Sequence, residues 1–147
     1  MFTVDTSDFD AGVARIEERV DRVSKIAQDM TPLWPKVGEL FAEQQRDIFA
    51  SGSTWQPLEQ STVLKKGSSR VLVETGALME AATSPIPVEA TPLYAKFGVR
   101  SSDVPYAHWH ARGAGVPKRR PVPPLSADLR RAWLEVVAEK VRSEFAR

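Results

Sequence analysis

The chain contains no cysteine, which excludes disulfides, thiolate metal sites and thiol catalysis together. No apolar run approaches the roughly 18 residues that span a bilayer. The opening Met1-Phe2-Thr3-Val4-Asp5 has neither the basic start nor the apolar stretch of an export signal. The expectation is a protein made in a reducing cytoplasm, with no membrane partner. Also missing are Gly-x-Ser-x-Gly, His-Glu-x-x-His and a phosphate-binding glycine loop ending in Lys-Ser or Lys-Thr. Internal repeats and low-complexity tracts are absent too. Nothing in the sequence asks for an enzyme, a cofactor or a metal.

What remains is 147 residues, the size of one domain, and such a chain buries roughly 68–70% of its unfolded surface without help from metal or disulfide. The formal charge of +1 conceals a division. Residues 1–60 carry 6 basic and 11 acidic side chains, whereas residues 61–147 carry 14 and 8. Unlike charge in the two parts suits a protein that meets a copy of itself, or another partner, through unlike faces.

Phe9, Val13, Ile16, Val20, Val23, Ala27 and Met30 recur at spacings of four and three, predicting an amphipathic helix over about residues 8–30. Ser7 or Asp8 caps it, Asp8 and Asp10 favour its N-terminal end, Glu18 and Arg22 pair along it, and Pro32 stops it. The stripe either covers the domain's own core or packs on a neighbouring subunit through Phe9, Val13, Ile16, Val20 and Val23. A second helix starts near Pro35, carries Val37, Leu40, Phe41, Gln44, Ile48 and Phe49 on one face, and stops at Gly52. The turn-rich stretch 51–58 holds Trp55, which predicts an ordered loop anchored by the indole. Short helices are expected over 59–66, ending at Lys65-Lys66-Gly67, and from about Thr75-Gly76 to Ala82.

Pro85, Pro87 and Pro92 exclude helix in the next region, and Val88–Thr91 and Tyr94–Val99 read as antiparallel strands. Residues 111–124 mix glycine and proline with basic side chains, which predicts a flexible basic loop. Ser126 caps a last helix bearing Leu129, Trp133, Val136, Val137, Val141 and Phe145. The expected fold is α+β, an antiparallel sheet packed against a long N-terminal helix, a second helix and a C-terminal helix.

Two features carry possible chemistry. On a strand, His108 and His110 would share a face as metal ligands do, but no third ligand is evident, and Tyr106 and Trp109 suggest packing instead. Arg112, Lys118, Arg119 and Arg120 form the best candidate for a partner- or DNA-facing surface. A nonspecific nucleic-acid-binding module using residues 112–120 is the alternative reading; base readout lacks a reading helix or interleaved aromatics.

The order of short motifs is more specific than any one of them. Phe49-Ala50-Ser51-Gly52 is followed by Trp55-Gln56-Pro57-Leu58, then Thr62 and Lys65-Lys66, then Leu72-Val73-Glu74-Thr75-Gly76-Ala77-Leu78. Phe97-Gly98-Val99, Pro105-Tyr106-Ala107 with His110 and Gly113, and Arg120-Pro121 come after. Over residues 37–145 this order resembles the tailed-phage virion morphogenesis family, the tail completion proteins similar to the G protein of phage Mu. The resemblance implies a non-enzymatic structural protein of the virion, with no cofactor, at the upper end of the tail or the head–tail neck. It implies a ring, of six copies by analogy with tail symmetry, whose neighbours are tail-tube, tail terminator or head-completion proteins, with DNA in the channel. Trp55, Pro57, Leu58, Tyr106 and Trp109 are then expected as structural anchors, together with Leu72 and Leu78.

Overall fold

The computed structural model describes residues 7–73, 75–113 and 115–147, the side chains of residues 7–10 excepted. The capping by Ser7 or Asp8, the placement of the Asp8, Phe9 and Asp10 side chains, and Glu74 therefore lie outside the described residues. The chain is mainly helical with a small two-stranded antiparallel sheet, within the α+β class. Its elements are α1 (Ser7–Gln28), α2 (Trp34–Ser51), α3 (Gln60–Lys66), α4 (Ala77–Ala82), β1 (Glu89–Ala90), β2 (Ala95–Lys96), α5 (Ala107–Arg112) and α6 (Ala127–Ala146).

Helix α2 is the spine. Pro35 sits in its first turn, where a missing N–H costs nothing, and Gly52 closes it at φ +63°. Over its 18 residues it reaches two apolar clusters. Val37 joins Leu33 and Val136 of α6, with Ile26, Trp34, Phe97 and Trp133 around them. Phe49, at the other end, joins Trp55, Val71 and Ala82. Between them Phe41 stacks obliquely on Phe97, with ring centroids 5.4 Å apart. The link to α6 is also polar: Gln44 Nε2 donates to Ser126 Oγ at 2.6 Å. The same hydroxyl accepts the Leu129 N–H at 3.0 Å, the expected cap.

The corner between α1 and α2 is tight because it is bonded from outside. Asp29 Oδ1 accepts the Thr31 N–H at 2.9 Å; the Thr31 side chain first, and then this N–H, hold the Asp29 carboxyl below the ordinary range. The Met30 N–H donates to the Pro92 carbonyl at 2.7 Å, and Trp34 Nε1 donates to the Thr91 carbonyl at 2.9 Å. The hairpin is thereby hung on this corner.

That hairpin is much smaller than the expected sheet. Only Glu89 with Lys96 and Ala90 with Ala95 pair. Thr91 Oγ1 accepts the N–H groups of Leu93 and Tyr94, which turns the chain early. On the far side Phe97 leaves the ladder to bury against Phe41 and Trp133. Burial of one aromatic ring outweighs the two or three ladder bonds a longer strand would add.

The stripe of α1 is the second departure. Helices α1 and α6 run antiparallel, with Arg19 over the Phe145 ring and Arg22 Nε donating to the Glu144 carbonyl. Arg19, Arg22 and Ile26 face α6; Val13, Ile16 and Val20 are exposed, whereas Val23, also expected at a subunit interface, is half-buried. At 100° per residue the two faces lie roughly 100° apart around the helix. The expected i,i+4 pair Glu18–Arg22 is present at 4.0 Å.

Gly38, inside α2, is required by contact and not by backbone freedom. A Cβ there would lie 2.0 Å from the Pro85 carbonyl oxygen and 2.9 Å from the Phe97 ring. Although alanine is the better helix former, Gly38→Ala is expected to destabilise by about 1–3 kcal/mol or more through overpacking. Chemical denaturation checks this; a gain in stability would show that the 85–87 segment moves aside freely.

Candidate functional site

Three structures meet at the end of α2 away from the hairpin: the loop 52–59, the segment 67–76 and the basic loop after α5. What joins them is a reciprocal clasp. Trp55 lies edge-on to Phe49, centroids 4.8 Å apart, and its Nε1 donates to the Arg120 carbonyl at 2.8 Å. In return Arg119 donates from Nε to the Gln56 carbonyl at 2.9 Å and from Nη2 to the Pro57 carbonyl at 3.1 Å. The Arg119 N–H donates to the His110 carbonyl at 2.8 Å, and Pro121 is buried beside it. The basic loop is thus held to the body over residues 119–121.

This corrects the expectation for Arg119. It does not face outward with its neighbours: only 6% of it is exposed. Burying an arginine is tolerated because a planar fork satisfies two carbonyls at once. Arg112, Lys118 and Arg120 remain exposed.

Of the expected anchors, Trp55 and Leu78 are buried, and Leu58 and Leu72 are half-buried against the Phe49–Trp55 cluster. Pro57 is exposed and contributes its carbonyl. Tyr106 and Trp109 are exposed, Trp109 by 55%, because residues 107–112 form a helix instead of a strand. The same change separates the histidines. Two positions apart on a helix they point about 200° apart, so their rings do not share a face. Among the described residues no three His, Asp or Glu side chains come together as a metal site.

Beneath the clasp lies a cavity of about 640 Å³. Leu58, Leu72, Leu78, Val116 and Pro117 make it largely apolar, while Arg119, His110, Lys66 and Thr62 supply polar groups and Glu59 stands at its edge. Leu72 is held at φ +58°, the one non-glycine residue with positive φ among the described residues; such strain costs of order 1–3 kcal/mol and persists only where packing enforces it. His110 Nδ1 is buried without a hydrogen-bond partner among the described residues. Burial, and then the Arg119 charge, push the His110 pKa below its ordinary value. The cavity was not foreseen from the sequence, although Leu58, Thr62, Lys66, Leu72, Gly76, Leu78, Tyr106 and His110, all in the ordered motifs, line it.

Comparison of the chain with protein-family models, with curated proteins and with solved structures finds no match.

Trp55→Ala is expected to cost about 3–5 kcal/mol, since it empties the space over Phe49 and orphans the Arg120 carbonyl. Trp109→Ala should stay within about 0.5 kcal/mol. Equal melting shifts for the two would contradict the clasp.

His110 also sets a pH dependence. Its folded pKa lies below the unfolded one, so the unfolded state binds the proton first. The contribution is present above the unfolded pKa and is lost as pH falls toward the folded value. Stability should therefore decline on acidification below about pH 6.5, and His110→Gln should flatten that decline between neutral and mildly acid pH. Identical slopes in denaturation series of the two proteins would exclude the effect.

Proposed function

We propose that the chain is a structural, assembly-forming protein in which α1 joins copies, and that the assembly is a closed ring of a tailed-phage virion at the tail end or neck. The observation that carries the assembly reading is the uncovered stripe on α1. Ile16 and Val20 are 56% and 53% exposed, on the helix that packs against α6. Placing apolar periodicity on the outer side of a helix leaves surface that water disfavours and that a second copy covers. Since α6 ends beside Arg19, residues 7–18 project past it by roughly 18 Å.

The virion setting comes from the ordered motifs and their resemblance to the tail completion family. The clasp supports that reading, because Trp55-Gln56-Pro57 and Arg120-Pro121 bind one another across the fold. A ring is heterologous: one patch meets a different patch. The acidic first part and the basic second part provide unlike surfaces for it. Six copies follow from tail symmetry. Arg112, Lys118 and Arg120, exposed on the basic loop, are the groups that reach a neighbouring tail or head protein or the DNA in the channel, where charge alone is enough.

Ile16→Glu/Val20→Glu should change the stability of the isolated chain by no more than about 0.5 kcal/mol per site and prevent its incorporation into particles. Reconstruction of assembled virions is the decisive measurement. A ring of this chain at the tail end or neck is expected. Particles without one, or full incorporation of the double variant, would refute the proposal.

A further inference from the structure

We propose that the cavity beside Arg119 is a receptor for the start of α1, Asp8-Phe9-Asp10, of a neighbouring copy. This rests on the assembly reading above and names the surface that receives the arm. The cavity's size is that of a ligand site. Its lining is largely apolar, with Arg119 held in a fixed orientation, Lys66 in the wall and Glu59 at the edge. Two main-chain carbonyls hold the Arg119 guanidinium through Nε and Nη2, and among the described residues no carboxylate lies within 4.0 Å of it. A cation so buried favours an anion brought in from outside. Lys66, whose Nζ donates to the Arg70 carbonyl at 2.7 Å, adds positive charge to the same wall.

The occupant must therefore bring an apolar group and a carboxylate on adjacent residues. Residues 1–10 hold three aspartates, no basic side chain, and Phe2, Val4 and Phe9. Residues 7–10 begin the helix that projects beyond α6. An aromatic ring fills an apolar cavity well, and a flanking aspartate meets the arginine fork with matched geometry. The contact is heterologous, arm into cavity, and it repeats from copy to copy as a ring needs.

The test uses a fluorescent synthetic peptide of residues 1–12 titrated into full-length chain whose own arm is disabled by Asp8→Asn, Phe9→Ala and Asp10→Asn. Saturable binding that weakens with added salt is expected. The same three substitutions in the peptide should weaken it roughly tenfold or more. Arg119→Met removes the anchor but also breaks the clasp, so Thr62→Trp, at an exposed position on α3 in the cavity wall, is the second variant; it should leave melting unchanged and block the peptide. Absence of saturable binding, or binding indifferent to both Thr62→Trp and the peptide substitutions, overturns the inference. So does strong coupling of Glu74 and Arg119 in a double-mutant stability cycle, because the chain's own carboxylate would then neutralise the guanidinium. Peptide binding without a ring in the particle would refute the assembly reading alone. A ring without peptide binding would refute the receptor alone.

Discussion

The exchange of hydrogen bonds between Trp55 and Arg119–Arg120 is the constraint on which the rest of this end of the molecule depends. Between Gly52 and Ala127 the regular structure among the described residues consists of three short helices and a hairpin of two residue pairs. Segments so short do not hold their positions by their own backbone bonds. Their arrangement has to come from side chains that bind distant carbonyls. An indole N–H supplies one such bond and a guanidinium supplies two, all spanning more than sixty residues of sequence. Each acceptor would otherwise be a carbonyl lost to water, so the bonds are worth most where burial is deepest.

The clasp explains why particular residue types stand in these positions. Lysine in place of Arg119 would present a point charge to two carbonyls that a planar fork meets together. Phenylalanine in place of Trp55 would fill the space over Phe49 but leave the Arg120 carbonyl without its donor. Pro121 follows directly and fixes the backbone where the loop turns inward. Two of the short motifs noticed in the sequence, Trp55-Gln56-Pro57 and Arg120-Pro121, therefore meet in one contact, with Arg119 between them.

What was legible in the sequence divides along physical lines. The bounds of α2 and α6 could be read from Pro35, Gly52 and Ser126, because caps and breakers act within one turn. Trp55 could be read as an anchor, since a large aromatic in a turn-rich stretch has nowhere else to go. The extent of the sheet and the state of residues 107–112 could not: Phe97 is drawn toward the core by tertiary packing, and α5 forms over the histidine pair, which would share a face only on a strand. Arg119 looked identical to Lys118 and Arg120, and nothing local distinguishes the one that turns inward. Gly38 had one signal, a glycine in a helix interior, and its reason lies 47 residues away at Pro85. Ile26 was absent from the apolar stripe and yet packs in the core.

That last discrepancy bears on how the chain works. In a helix that serves only its own domain, the apolar stripe and the packed face coincide. In α1 they are rotated apart, and the packed face is partly charged, with Arg19 on the Phe145 ring and Arg22 on the last turn of α6. Amphipathic arginines cover apolar surface with their stems while keeping their charge in water, so α6 is met without using the stripe. Val13, Ile16 and Val20 then stay exposed, while Val23, lower on the same stripe, is half-buried. A helix with one face for its own fold and another exposed can take on a second contact without loosening the first, where the two faces share no side chains. On the proposed reading this separation lets a subunit stay folded before assembly and still commit its most apolar helix face to the ring.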